Sequence, residues 1–374
     1  MPAPPLPADP GRILIIRPSA LGDVARTAPS LASLRRAYPR ATIDWLVDRR
    51  FADAVRAHPA LDGVVPFDRH RKATVPGLLA RLARARYDLV FDLQGLARSG
   101  VFARATRAGA RVGYANAREL AHLAYTHRHR IDRNRHGADR MLSLVEAAGV
   151  ARVSDFGLRV PEGDGGFTAA FVKLHNHALQ WYPPDAAVRF DERFVCVAPT
   201  ARWGCKRWPI ERYAQLIERI LSHNLATWVA VVAAPHERHS LIDAVAKTLP
   251  LEPHNRVGFP ATTVGQMMAL IRGARLVVCN DSAALHLAVG LGTPTVSLFG
   301  PTDPALVGPP PADLFPDLPG SELHGRGLHR VLRSPSAEGR NIKYRRQHDD
   351  DRLISEIDLE TVWAAVQAAL AVPT

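Results

Sequence analysis

A chain of 374 residues, 47% hydrophobic and 22% charged, has the composition of an ordinary globular protein and the length of two domains. No apolar run reaches the roughly 18–20 residues of a membrane helix, and the opening MPAPPLPADPGR lacks the basic and apolar regions of a secretory signal, so the cytoplasm is the expected compartment. The net charge of +12 suits nucleic acid, an anionic membrane surface or an acidic substrate, or simply an arginine-rich genome; three scattered cysteines, Cys196, Cys205 and Cys279, argue against a zinc site or disulfide framework.

Arg12–Pro18 is a short apolar run with β-branched residues and predicts a strand. A tight loop, Ser19–Asp23, follows, and then apolar residues at helical spacing: Val24, Ala28, Leu31 and Leu34. Ala41–Val47 and Tyr87–Leu93 predict further buried strands, and the alternation indicates parallel βαβ units. Residues 161–192, with Gly163, Gly165, Gly166, Pro183 and Pro184, read as a linker. A second series then begins with a strand at Phe194–Ala198. Trp208-Pro209 opens a helix with proline in its first turn, and Ile210, Tyr213, Ile217 and Ile220 form its apolar face. Strands follow at Ala226–Ala234, Leu276–Cys279 and Pro294–Phe299, with a helix at Ser282–Leu291. Residues 301–350 are rich in Pro, Gly and Arg and predict an extended or mobile segment, and a last helix, 359–371, has Asp358 as its N-cap. This is an α/β protein of two Rossmann-like halves, with ligands expected outside the carboxyl ends of the strands and in the cleft between the halves.

No GxGxxG follows the first strand and no GxxxxGK[ST] occurs, which removes the fingerprints of a dinucleotide dehydrogenase and a P-loop enzyme. Asp23 sits at a strand-to-helix turn, either as a helix N-cap or as a carboxylate base for an acceptor hydroxyl, with Gly22 allowing close backbone approach. Asn280–His286 starts a helix directly after a buried strand, where free N–H groups can hold a diphosphate; Asp281 also suits a cap, and His286 a packed core position. Thr200–Trp208 brings Lys206 and its neighbouring arginines to the same edge, as a solvated basic loop or as cations neutralising a departing diphosphate. Glu237, after a strand, can accept from ribose hydroxyls. No carboxylate pair or His/Asp cluster has metal-ligand spacing; His127 and His129 fall in a basic, solvated run.

Taken together, RPSALGDVARTAPSL, DLQGLARSG, GYANAREL, YTHRHRIDRNRHGADR, KRWP and NDSAALHLAVGLGTPTVSLFGPTDP resemble, in order, segments of the ADP-heptose:lipopolysaccharide heptosyltransferase family, with the middle segments similar to the type that adds the first heptose. The resemblance implies a GT-B fold, two Rossmann-like domains facing across a cleft. It implies an N-terminal acceptor domain at 1–180, on which helix 359–371 would pack back, and a nucleotide-sugar domain at 190–350. It implies inverting transfer of a heptose from ADP-L-glycero-D-manno-heptose to the Kdo–lipid A inner core of lipopolysaccharide, without cofactor or metal. The implied catalytic residues are Asp23, as base, and Lys206. Implied donor contacts are Ser19, Gly22, Thr200, Lys206, Glu237, Asp281, Ser282, Ala283 and His286, and implied acceptor contacts Arg98, Arg118, His136 and Arg140. With Arg128 and Arg130, those four would form a basic surface facing an anionic glycolipid at the inner face of the inner membrane. A monomer without nucleic-acid partners is expected. Ala283 departs from the family's usual glycine, where an added methyl would crowd the diphosphate or change donor preference, and residues 309–345 match no family pattern.

Three other readings stand beside this one. A relative with another sugar donor or acceptor keeps the same motifs. A sugar-nucleotide epimerase would turn over donor alone, and a nucleic-acid-binding protein is suggested by charge but by no motif.

Overall fold

The computed structural model describes residues 5–179, 193–234, 237–248, 256–316, 328–340, 342 and 350–371. The chain divides into two compact units: Met1–Arg159 with Ala312–Leu318, and Val160–Pro311 with Pro319–Thr374.

The first unit carries one parallel sheet of six strands: β1 (Arg12–Ile16), β2 (Thr42–Asp48), β3 (Gly63–Phe67), β4 (Leu89–Asp92), β5 (Ala110–Tyr114) and β6 (His127–His129). Their order is β3-β2-β1-β4-β5-β6. β1 pairs on both sides, Ile13 with Ile43 and with Leu89, and Ile13–Ile16 are wholly buried, as strands covered on both faces must be. Its helices include α1 (Leu21–Arg26), α2 (Ala28–Ala37), α3 (Asp53–Arg56), α4 (Val75–Arg84), α5 (Ala97–Ala105) and α6 (Gly137–Ala147).

The second unit repeats the plan with β7 (Phe194–Ala198), β8 (Trp228–Val231), β9 (Val257–Gly258), β10 (Leu276–Asn280), β11 (Thr295–Phe299) and β12 (His329–Arg333), in the order β12-β11-β10-β7-β8-β9. Renumbered from its own first strand, that is the same winding. The order in which strands are added therefore reverses between β1 and β4 in one sheet, and between β7 and β10 in the other. These are the switch points where such sheets leave a crevice. The helices are α7 (Phe167–Leu179), α8 (Ile210–Ser222), α9 (Arg238–Thr248), α10 (Val264–Gly273), α11 (Ala283–Leu291), α12 (Pro304–Val307) and α13 (Leu359–Leu370). Helix α11 stops at Gly292, whose φ of 73° suits a residue without Cβ.

Several expectations change here. The stretch 161–192 is not all linker. Helix α7 occupies part of it and belongs to the second unit, with Phe171 5.7 Å from the Trp228 ring; Pro183 and Pro184 lie outside the described residues. The final helix belongs to the second unit. Val362, Val366 and Leu370 join the second unit's core with Val195, Leu276 and Val296, because α13 presents an apolar face to that sheet. Asp358 does cap it, accepting from Thr361 N at 2.6 Å. Pro209 stands at the N-cap of α8, one residue before the first turn.

The segment expected to be mobile is also partly built in. β12 is the sheet's edge, and Phe315 is fully buried in the first unit, its ring 5.9 Å from Phe156 and 6.4 Å from His136. Residues 317–327, 341 and 343–349 lie outside the described residues. Truncating a buried phenylalanine removes both its transfer free energy and its packing. Phe315→Ala should therefore cost the first unit about 3–5 kcal/mol and speed amide exchange along α6. Unchanged exchange in α6 would show that Phe315 holds nothing there.

Candidate functional site

In the first unit the residues that can do chemistry stand at the carboxyl ends of β1 and β4. Ser19 leaves β1 and donates its backbone N–H to Gln94 Oε1 at 3.3 Å, so the loops of the two strands meet at the switch point. Buried Asp92 fixes the second loop. Its Oδ1 accepts from Gln94 N and Gly95 N, and its Oδ2 from the Tyr125 hydroxyl at 2.6 Å.

Asp23 is not the cap of α1. The N-cap is Ala20, Gly22 is buried in the first turn, and Asp23 is the third helical residue. Its carboxylate lies between two guanidinium groups: Arg17 Nη2 reaches Oδ2 at 2.9 Å and Arg26 Nη2 donates to Oδ1. Both arginines are largely buried, and Arg17 also donates to the Leu93 carbonyl. The Asp23 side chain keeps 29% exposure, so the carboxylate is held at both oxygens and still partly exposed. Gly137 makes room for this arrangement, since a Cβ there would collide with the Arg26 guanidinium.

Arg140, one turn into α6, belongs to the same electrostatic cluster. Burial lowers its guanidinium pKa, with Tyr114 and Asp23 acting the other way and Arg17 and Arg26 adding to the fall. Burial likewise pushes the Tyr114 hydroxyl up to about 12. Arg17, Arg26 and Arg140 thus outnumber one carboxylate, an excess of positive charge suited to an anionic ligand. Arg98 and Arg118 are exposed at the start of α5, where Arg118 N donates to the Gly95 carbonyl.

His136 is not exposed, as a basic surface would require. It is buried, caps α6 by accepting from Ala138 N at 3.3 Å, and packs edge-on to Phe315, so it does not belong to an exposed basic surface. His127 is also buried, because the run that looked solvated forms β6 against β5. Sequence reasoning passed over Arg17 and Arg26. The signal available was a cation at each end of the RPSALGDVAR loop.

In the second unit, Thr200 follows β7 and Asp281 follows β10, flanking that sheet's switch point. Buried Asn280 ties the two together, donating to the Pro199 carbonyl at 2.7 Å and accepting from Trp208 N at 3.2 Å and from the Tyr213 hydroxyl at 3.0 Å. Lys206 sits in a 3₁₀ turn, Gly204–Lys206, and its Nζ donates to Asp281 Oδ2 at 2.6 Å, with both side chains buried. The Thr302 hydroxyl donates to the same oxygen at 2.8 Å. Burial alone would push the Asp281 carboxyl up. Lys206, then His286 and Thr302, more than offset it and hold it below the ordinary carboxylate range.

Asp281 is therefore an ion-pair partner, and Ser282 takes the N-cap position of α11. Ser282 Oγ is buried and has no hydrogen-bond partner among the described residues, although it stands where a cap normally bonds. Ala283 is the first helical residue, and His286 lies buried one turn on. Glu237 stands before α9 and is paired with Arg207 at 2.8 Å. Thr302 was not anticipated, because a threonine in a loop carries no spacing signal.

Two doubly wound parallel units, each with ionisable side chains at its switch point, place the protein in the α/β, GT-B class of fold. Residues 77–313 match the family described as glycosyltransferase family 9 (heptosyltransferase). The chain belongs to that family and is a glycosyltransferase. It is 32% identical over 311 residues to lipopolysaccharide heptosyltransferase 1 of Salmonella typhimurium, covering 79% of this chain and 90% of that one. Among solved structures it resembles the family 9 glycosyl transferase of Veillonella parvula, with a TM-score of 0.79, 22% identity and coverage of 98% and 99%. It also resembles the E. coli heptosyltransferase WaaC with ADP, with a TM-score of 0.69, 23% identity and coverage of 96% and 99%. Both structural likenesses bear on the fold.

Proposed function

We propose that this enzyme transfers a heptose from ADP-L-glycero-D-manno-heptose to the Kdo–lipid A inner core of lipopolysaccharide, as the type that adds the first heptose, with inversion and without a metal. The observation that carries the reading is the start of α11, where buried Lys206 and the unpartnered Ser282 hydroxyl stand at a helix N-terminus. That combination suits the diphosphate of a nucleotide sugar, since the helix end and an ammonium both favour anions. The Salmonella relative, a lipopolysaccharide heptosyltransferase, supports heptose and lipopolysaccharide, and the ADP complex of WaaC supports the nucleotide.

In the reaction, Asp23 takes the proton of the acceptor hydroxyl. The acceptor oxygen then bonds to the anomeric carbon while the bond to the diphosphate oxygen breaks, and ADP leaves with that electron pair. Lys206 and the N–H groups of α11 stabilise the charge that develops on the diphosphate. Thr200, Glu237, Asp281 and His286 complete the donor side, and Ser19 and Gly22 are further donor contacts. Arg98, Arg118 and Arg140 meet the anionic acceptor. The protein works in the cytoplasm as a peripheral protein on the inner face of the inner membrane, and as a monomer.

Incubation with ADP-heptose, with and without Kdo–lipid A, should release ADP only when acceptor is present, at a rate that excess EDTA leaves intact. Donor turnover without acceptor would point to an epimerase, and a rate lost to EDTA and restored by magnesium would overturn the metal-free step. Ala283, at the first helical position, is the reason to include other nucleotide sugars in the same assay.

A further inference from the structure

Few large apolar side chains are exposed on this protein, and three of them share one place. Among the described residues, Val101 is 53% exposed, Leu120 68% and Leu123 65%. Val101 lies on α5. Leu120 and Leu123 lie on and just before a 3₁₀ turn, Ala121–Ala124. The two elements touch, since a Cβ on Gly100 would stand 3.3 Å from Ala121. Their connecting loop is fixed as well, with Ala97 N donating to Glu119 Oε2 at 3.1 Å.

Glu119 and Leu120 are successive non-glycine residues in the left-handed region, with φ of 54° and 60°. L-residues leave that region unless the surroundings hold them there, and such held strain gathers at functional surfaces. Single exposed leucines need no explanation, but a group of three on touching elements does.

The surrounding charge points to the partner. Exposed Arg98, Arg104 and Arg118 border the three apolar residues. The stretch from Ala97 to Arg135 holds nine arginines against two acids, Glu119 and Asp132, and the first of these is engaged with the α5 N-terminus. Short aliphatic side chains ringed by arginines suit a bilayer interface. The leucines enter the headgroup–acyl boundary while the arginines stay with the phosphates. A protein partner would more often be met by exposed aromatic anchors, and among the described residues no aromatic side chain is an exposed large hydrophobic.

We propose that Val101, Leu120 and Leu123, ringed by Arg98, Arg104 and Arg118, form the face by which this protein docks on a bilayer of anionic phospholipid. This deepens the peripheral-membrane part of the function proposed above and rests on it for its purpose, but lipid binding itself requires no transfer. The test is co-sedimentation of the full chain with phosphatidylcholine vesicles carrying phosphatidylglycerol and no glycolipid. The wild type should bind, and Leu120→Ser with Leu123→Ser should lower its partition coefficient by roughly tenfold or more. Arg104→Ala should weaken binding at low salt and matter less as salt rises. The double variant's thermal midpoint should hold, as should its turnover on an acceptor stripped of acyl chains, so that lost docking is told apart from lost transfer. A wild type that ignores the vesicles, or a double variant that binds them equally well, overturns the proposal. So does a wild type that self-associates through these leucines while its lipid binding survives their replacement.

Discussion

Asp23→Asn should lower kcat by about 10²- to 10⁴-fold while ADP binding stays near its original strength. The substitution keeps the size and one acceptor oxygen of the side chain but removes its basicity. A base must take up the hydroxyl proton, which an amide does not do. The two guanidinium groups hold this one by Oδ1 and Oδ2, so its orientation does not depend on the acceptor. The same pairing admits a purely structural role, in which Asp23 serves to compensate Arg17 and Arg26. The two roles separate by measurement. A structural role predicts a lowered thermal midpoint and a disturbed α1–α6 contact in Asp23→Asn, with turnover falling only in proportion to folded protein. A base predicts folded, ADP-binding protein that does not turn over. Arg26→Lys should retain part of the activity and Arg26→Ala little, because a positioning cation is replaced in the first and lost in the second. Near-normal kcat in Asp23→Asn would remove it from the chemistry.

The legible parts of this fold were those dominated by burial. β1, β7, β10 and β11 sit inside parallel sheets, covered on both faces, and appear as continuous apolar runs that match their structural bounds to within one or two residues. The strands without a signal are short or lie at edges. β6 is His-Arg-His, β12 is His-Arg-Val-Leu-Arg, and β3 contains a proline; where one face meets water, composition no longer separates strand from loop. Asp23 and Asp281 could be singled out because each follows a buried strand. What each carboxylate does there could not be read. Both positions suit a helix cap, and the structure makes neither one a cap. The deciding contacts come from afar in sequence: Lys206 to Asp281 spans 75 residues, and Arg26 reaches Asp23 where Gly137 lets it lie against α6. The burial of His136 was hidden for the complementary reason. A histidine in an arginine-rich run resembles a ligand contact, but the buried Phe315, almost two hundred residues away, encloses it.

Lys206→Ala should produce two losses that must be told apart. The first is structural. Asp281 is buried, and Lys206 leads the interactions that hold its carboxyl below the ordinary range. Removing one partner of a buried pair leaves an uncompensated charge, at a cost of about 3–5 kcal/mol. That cost should fall at mildly acid pH, where the stranded carboxylate can take up a proton. The second loss is functional. If Lys206 stabilises the leaving diphosphate, turnover falls by about 10²–10³-fold, the size seen when one preorganised donor is removed. Lys206→Ala with Asp281→Asn separates them, because it removes both charges and should recover much of the stability. The informative comparison is then between that double variant and Asp281→Asn alone, which keeps the ammonium. Calorimetry should show ADP bound at least tenfold more tightly by Asp281→Asn than by the double variant, because an ammonium with three protons can bond phosphate oxygens. Equal ADP affinity in the two proteins would mean that Lys206 serves Asp281 and not the donor. The positive charge for the leaving group would then come from the N-terminus of α11 and from the arginines that flank Lys206.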